Sequence, residues 1–225
     1  MDKLWLYTST LAKGLPVTIS LSVSAIIVAC GLAILLTILL TSQKAVLTSI
    51  IRGYILVFTG TPLLVQIFLI YYGLARFEAI RDHLPLLWDL FSRPWFCAFL
   101  ALALNSAAYT TLIFHGALKA VPDGHWQACA ALGMNQRQTL KVVLPYALKR
   151  ALSSYSNEVI FVVKGTALAS TITLMDLMAY NQFLNGRYYE FSIFIITGAI
   201  YLLINGFLSI IMRIIEKKAL AFESQ

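Results

Sequence analysis

At 225 residues, with 60% hydrophobic and only 12% charged residues and a mean hydropathy of +0.80, the chain excludes a water-soluble core and belongs with single-domain polytopic membrane proteins. Its net charge of +7 does not imply nucleic acid, because the basic residues flank apolar runs instead of forming a stripe between aromatics; lipid headgroups and membrane orientation account for them. Cys30, Cys97 and Cys129 lie far apart and His83, His115 and His125 have no ligand spacing, so neither a disulfide framework nor a metal site is expected, and no cofactor is implied.

The first charge-free run, residues 14–43, is long enough for a spanning helix of about 20 residues and too long for a cleavable signal segment. Lys44 and Arg52 follow without acidic balance, which places that loop on the cytoplasmic side. Residues 53–75 form the second run and contain Thr59-Gly60-Thr61-Pro62, a Gly and a Pro two apart that bend or open a helix; a plain packing kink fits the same residues. Residues 76–93 carry three basic and three acidic residues and read as an outer loop. The third span is predicted over residues 94–114, where Asn105 and Tyr109 fall one turn apart and share a face, while Ser106, Ala107 and Thr110 allow close helix packing.

Residues 119–150 hold five basic residues against one acidic, the strongest inside signal in the chain. Within them, Asp123 is positioned to cap a helix through Ala131 that Gly133 stops, and Asn135 with Gln138 resembles a capping box opening a second short helix, which Pro145 interrupts unless it marks the next element. Two helices this short need something to hold them. Ala128, Ala130, Ala131 and Gly133 leave little side chain on the first, and Trp126 and Leu132 offer apolar anchors. By spacing alone, a grip for another protein and a helical loop lying on its own membrane domain fit equally well.

Residues 151–175 are apolar except for Glu158 and Lys164 and read as the fourth span, with a bent or re-entrant second half before Asp176. Six residues place Glu158 and Lys164 about 120° apart around a helix, so they do not pair along it. An ionisable group in a span costs about 2.5 to 3.5 kcal/mol even on lenient insertion scales and marks a functional site by default, although a structural partner on another subunit is the competing account of Glu158. Residues 191–212 give the fifth span, ended by Arg213, Lys217 and Lys218. Five spans put the N-terminus outside and the C-terminus in the cytoplasm. There is no internal repeat, no GxxxxGK[ST] loop to bind ATP and no cluster of acid, base or metal ligands, so the chain is not expected to be an enzyme.

The run Gln127-Ala128-Cys129-Ala130-Ala131-Leu132-Gly133, followed by Val142-Val143-Leu144-Pro145, resembles the cytoplasmic "EAA…G…LP" signature of permease subunits in binding-protein-dependent ABC importers. Gln127 stands where Glu is usual, Cys129 where Ala is usual, and the interval from Gly133 to Pro145 is one residue short of the polar amino-acid branch. Lys13-Gly14-Leu15-Pro16-Val17-Thr18-Ile19 is similar to the opening of that branch's module, and Thr59-Gly60-Thr61-Pro62-Leu63-Leu64-Val65-Gln66 to its "RGTPLLVQ" stretch with the cation missing. Leu112 and His115 occupy positions where Glu and Arg are frequent, and Tyr155-Ser156-Asn157-Glu158-Val159 looks most like the arginine-uptake members.

The resemblance implies an all-α integral membrane protein with the type I ABC importer permease fold, one transmembrane domain over residues 1–225, in the bacterial inner membrane. It implies that Gln127, Ala128, Cys129, Ala131, Leu132 and Gly133 couple to an ATP-binding subunit dimer that performs the hydrolysis. It also implies a second permease subunit, a soluble substrate-binding protein, and a polar, basic substrate such as arginine moved by alternating access. Asn105, Tyr109, Asn157 and Glu158 are the expected substrate-pathway residues. The absent charges at positions 59, 112 and 115 suggest a mixed permease pair. A small self-sufficient channel or secondary transporter is the rival; the polar loop, the signature and the lack of an inverted repeat stand against it.

Overall fold

Arg93 closes one short turn and opens a helix that the apolar pattern already marks, and from such boundaries the fold follows. A computed structural model describes residues 2–42, 44–73 and 85–221, in which every regular element is helical. Of the predicted outer loop, Arg76, Glu78, Arg81, Asp82 and His83 lie outside the described residues.

An unpredicted helix, α1 (Asp2–Ala12), precedes the first span. Lys13 breaks the charge-free run and hides it from the hydropathy pattern, but Tyr7 and Leu11 are buried against Leu177, Leu184 and Ile193. The first span is α2 (Leu15–Leu40), with Pro16 in the first turn, where its missing N–H costs nothing. Its buried face is built largely of small side chains, Thr18, Ser22, Ala25, Ala29 and Ala33, at helical spacing. They let it lie close to α6 (Pro94–Lys119), together forming a core of Leu21, Ala25, Ala98, Ala101 and Leu102.

The second span begins earlier than predicted and is broken. Helix α3 (Ala45–Gly60) carries Arg52, whose long stem lets the charge reach the interface. It meets α4 (Leu63–Phe68), continued by a π-helical turn over Leu69–Gly73, at 107°. Pro62 forces the break: it lacks an N–H, and it drives Thr61 out of the helical region to φ −116°, ψ 146°. A short α5 (Pro85–Phe91) precedes the third span, which runs past the predicted end through His115 to Lys119.

Helix α7 (Asp123–Ala131) matches the first predicted cytoplasmic helix, but Pro145 does not interrupt the second. Instead α8 (Gln136–Gly165) is one 30-residue helix carrying both the polar segment and the fourth span. An internal proline costs about 3 kcal/mol. Here the flanking residues Val143, Leu144, Ala147 and Ala151 are buried, and that packing holds the helix through the lost hydrogen bond. A 3-10 segment, Thr166–Ile172, and the left-handed Thr173 (φ 64°) end it within the stretch read as a bent or re-entrant second half, and α9 (Leu177–Tyr188), which lies beyond the predicted span, leaves at 52°. The last span, α10, covers Ser192–Leu220. Among the described residues three segments are long and apolar enough to cross a membrane, and up to five if each bent pair counts as one span.

Gly14 explains the opening motif. A Cβ there would lie 2.6 Å from the backbone of Asp176 and Leu177, so only glycine lets the start of α2 touch the start of α9. Thr18 completes the junction by accepting from the Leu177 N–H at 3.1 Å, while Asp176 caps the Ala179 N–H at 2.8 Å. Gly14→Ala is therefore expected to destabilise the protein by about 1 to 3 kcal/mol or more through overpacking against rigid backbone. Thermal unfolding of the purified protein in detergent measures it; an unchanged midpoint would refute the close contact.

Candidate functional site

Breaking a helix inside a membrane frees its last carbonyls, which no water reaches, and side chains must take them up. At the end of α3 they do so in order. Thr61 Oγ1 donates to the Val57 carbonyl at 2.7 Å, Gln66 Nε2 and Asn105 Nδ2 both donate to that of Phe58 at 2.9 Å, and the Tyr109 hydroxyl donates to that of Thr59 at 3.1 Å. Asn105 also donates to Gln66 Oε1 at 3.0 Å, and Gln66 reaches the Thr61 carbonyl and hydroxyl at 3.0 and 2.8 Å. The polar face that Asn105 and Tyr109 share on α6 thus anchors the break of the neighbouring span.

Gln66 is the hub of this arrangement, and the sequence shows it only as the last letter of a motif. Gln66→Leu removes the donor for three oxygens at a buried site and is expected to cost about 1 to 3 kcal/mol. A shift of the unfolding midpoint checks it. A variant as stable as the parent would show that another group caps Phe58 unaided.

Beside the break lies a cavity of about 580 Å³, within the range of small-molecule sites. Its walls come from α4, α6 and α8, and they hold Asn105, Ser106, Tyr109, Glu158 and Lys164. Three of the four residues expected on the substrate pathway therefore meet. Asn157 does not: successive helical residues point about 100° apart, and it stands on the exposed face of α8, away from the cavity. Glu158 is 8% exposed, with the Ser106 hydroxyl of α6 as its polar neighbour. Among the described residues no ion pair joins it to Lys164, as their helical spacing requires. Lys164 Nζ rests 5.9 Å from the ring centroid of Phe161, and the cavity so carries one carboxylate and one ammonium that do not neutralise each other. Sequence reasoning passes over Lys164 as a site residue; its charge within a span is the available signal.

The polar elbow is built from two cap motifs. Gly133 has φ +66°, its N–H donates to the Ala130 carbonyl at 2.9 Å and the Met134 N–H to that of Cys129 at 3.0 Å, the double bond pattern that closes a helix on a left-handed glycine. The capping box is present, with Gln138 N–H donating to Asn135 Oδ1 at 3.0 Å and Asn135 N–H to Gln138 Oε1 at 2.9 Å. Asp123, by contrast, makes no cap bond; Pro122 holds the cap position and Asp123 is the first helical residue, where its charge favours only the helix dipole.

Helix α7 turns two faces. Cys129 is buried, together with Leu118, Val121, Val143 and Ala147, Trp126 packs against the same core, and His125 stacks on Tyr146 at 4.8 Å. Cys129 therefore belongs to the inner face of α7. Gln127, Ala128, Ala131, Leu132 and Gly133 are exposed, Leu132 at 74%. A large leucine left in the open beside small residues is an unpartnered apolar contact.

Residues 29–220 match the family described as binding-protein-dependent transport system inner membrane component. The chain is 56% identical over 217 residues to the arginine ABC transporter permease protein ArtM of Escherichia coli (strain K12), covering 96% of this chain and 97% of that protein. It is 54% identical over 218 residues to the protein of the same name in Haemophilus influenzae, covering 96% and 95%, and 38% identical over 208 residues to the nopaline transport system permease protein NocM of Agrobacterium fabrum, covering 92% and 86%. Among solved structures it resembles an amino acid ABC transporter crystallised with histidines, at 28% identity and a TM-score of 0.83 over 96% of this chain and 97% of that one. The MetNI methionine ABC transporter shares the fold, at 16% identity and a TM-score of 0.70 over 93% and 96%. The five-span architecture is that of a type I ABC importer permease, and the chain belongs to the binding-protein-dependent transport system inner membrane components.

Proposed function

We propose that this permease subunit passes a basic amino acid, with arginine as the first candidate, through the cavity at Glu158 by ATP-driven alternating access. The carrying observation is that Glu158 and Lys164 share one cavity unpaired. An α-amino acid with a cationic side chain brings a carboxylate for Lys164 and a guanidinium for Glu158, which a carboxylate accepts in a bidentate pair. Asn105 and Tyr109 hold the wall in place, their donors engaged with α3. The names of the more similar relatives support this substrate class.

In this reading the segment 119–150 is the cytoplasmic coupling region, the N-terminus is outside and the C-terminus inside. Gln127, Ala128, Ala131, Leu132 and Gly133 press on an ATP-binding subunit, one of a pair that hydrolyses ATP. A soluble binding protein delivers substrate to the outer face. The neutral residues Thr59, Leu112 and His115 favour a second, different permease chain that retains the charges. Co-purification from the native membrane tests the assembly: an ATPase dimer and a distinct second permease are expected with this chain, and an active complex with two copies of this chain and no other permease would overturn the mixed pair.

A further inference from the structure

A second cavity, about 490 Å³, opens where the end of α2, the middle and end of α3 and the end of α6 meet. Arg52, His115 and Lys119 line it, and no acidic side chain does. Arg52 and Lys119 are exposed, both act electrostatically on the His115 ring, and His115 Nδ1 is buried without a hydrogen-bond partner. Among the described residues neither cation is in an ion pair. The rest of the lining includes an apolar wall of Leu40, Ile55, Leu56 and Leu112. Thr59, Leu112 and His115 all line this cleft, and no carboxylate of its lining neutralises the cations from within.

We propose that this cleft binds the phosphate headgroup of an anionic phospholipid, with Arg52 and Lys119 on the phosphate and the apolar wall against the first methylenes of its acyl chains. The place fits an amphiphile: helix ends sit at the headgroup layer, and basic pockets between spans at that depth favour anionic lipid. A carboxylate from a neighbouring protein would satisfy the charge and leave the apolar wall unused. The site does not depend on the transport reading or on which leaflet it faces.

Native mass spectrometry of the intact transporter complex, titrated with phosphatidylglycerol, phosphatidylcholine or inorganic phosphate, tests it. The parent is expected to retain phosphatidylglycerol over phosphatidylcholine. Arg52→Gln with Lys119→Gln is expected to weaken that retention by roughly thirtyfold, from about fivefold per cation at a lipid surface. Arg52→Lys with Lys119→Arg should keep it, and phosphate alone should not compete. Equal phosphatidylglycerol retention in parent and Gln pair overturns the proposal, as does competition by phosphate at lipid concentrations, which would make this a free-anion site. Carbodiimide cross-linking of Lys119 to a carboxylate of another subunit overturns it too. If the Gln pair fails to assemble, the parent's choice between the two lipids decides alone.

Discussion

Glu158→Gln is expected to lower the apparent affinity for arginine uptake roughly tenfold to hundredfold, while the complex still assembles and hydrolyses ATP. The substitution preserves shape and removes one charge, and a hydrogen bond to a charged group is worth about 1.5 to 3 kcal/mol. Glu158 is the carboxylate in the wall of the larger cavity, and no cation of the described chain neutralises it. A guanidinium loses its bidentate partner in the variant; a neutral amino acid would lose much less. Initial rates of radiolabelled arginine uptake against concentration measure the effect. Unchanged kinetics at normal protein levels would make Glu158 a structural carboxylate, held for a contact between subunits.

Gly133→Asp is expected to reduce transport by roughly thirtyfold while leaving membrane insertion intact, an effect of the size seen when a central contact of about 2 kcal/mol is lost. Two causes are separable. The left-handed backbone, φ +66°, costs a non-glycine residue about 1 to 2 kcal/mol. A Cβ there meets nothing of this chain within 4 Å, so the added carboxylate would project toward whatever docks on α7. Gly133→Ala carries the same strain with little bulk and is expected to keep most of the uptake. An Asp variant that transports normally would contradict docking at this surface, and an Ala variant as inactive as Asp would assign the loss to the helix cap.

Hydropathy locates the spans because a charge inside one is expensive, and the capping box and the glycine stop are legible because each is fixed by residues three or four apart. What the sequence hides is decided by tertiary contact. Pro145 reads as a break, yet the burial of Val143, Leu144 and Ala147 carries α8 through it. Pro62 reads as a kink, and the 107° bend exists because Gln66, Asn105 and Tyr109 satisfy the carbonyls it frees. Cys129 turns inward from its motif and Asn157 outward, away from the cavity beside Glu158, a distinction only helix rotation supplies. Lys164 shares a cavity with Glu158 despite being too far round the helix to pair with it, and that follows from how α6 and α4 close over both.

The central claim is that this chain serves ATP-driven entry of a basic amino acid and does not conduct on its own. It is tested most directly by reconstituting the co-purified complex in proteoliposomes with its binding protein and following arginine accumulation. Uptake is expected only when ATP and the binding protein are both present, on their proper sides, and is expected to fall with Glu158→Gln. Arginine flux through this chain alone, without ATP or an ATPase subunit, would contradict it.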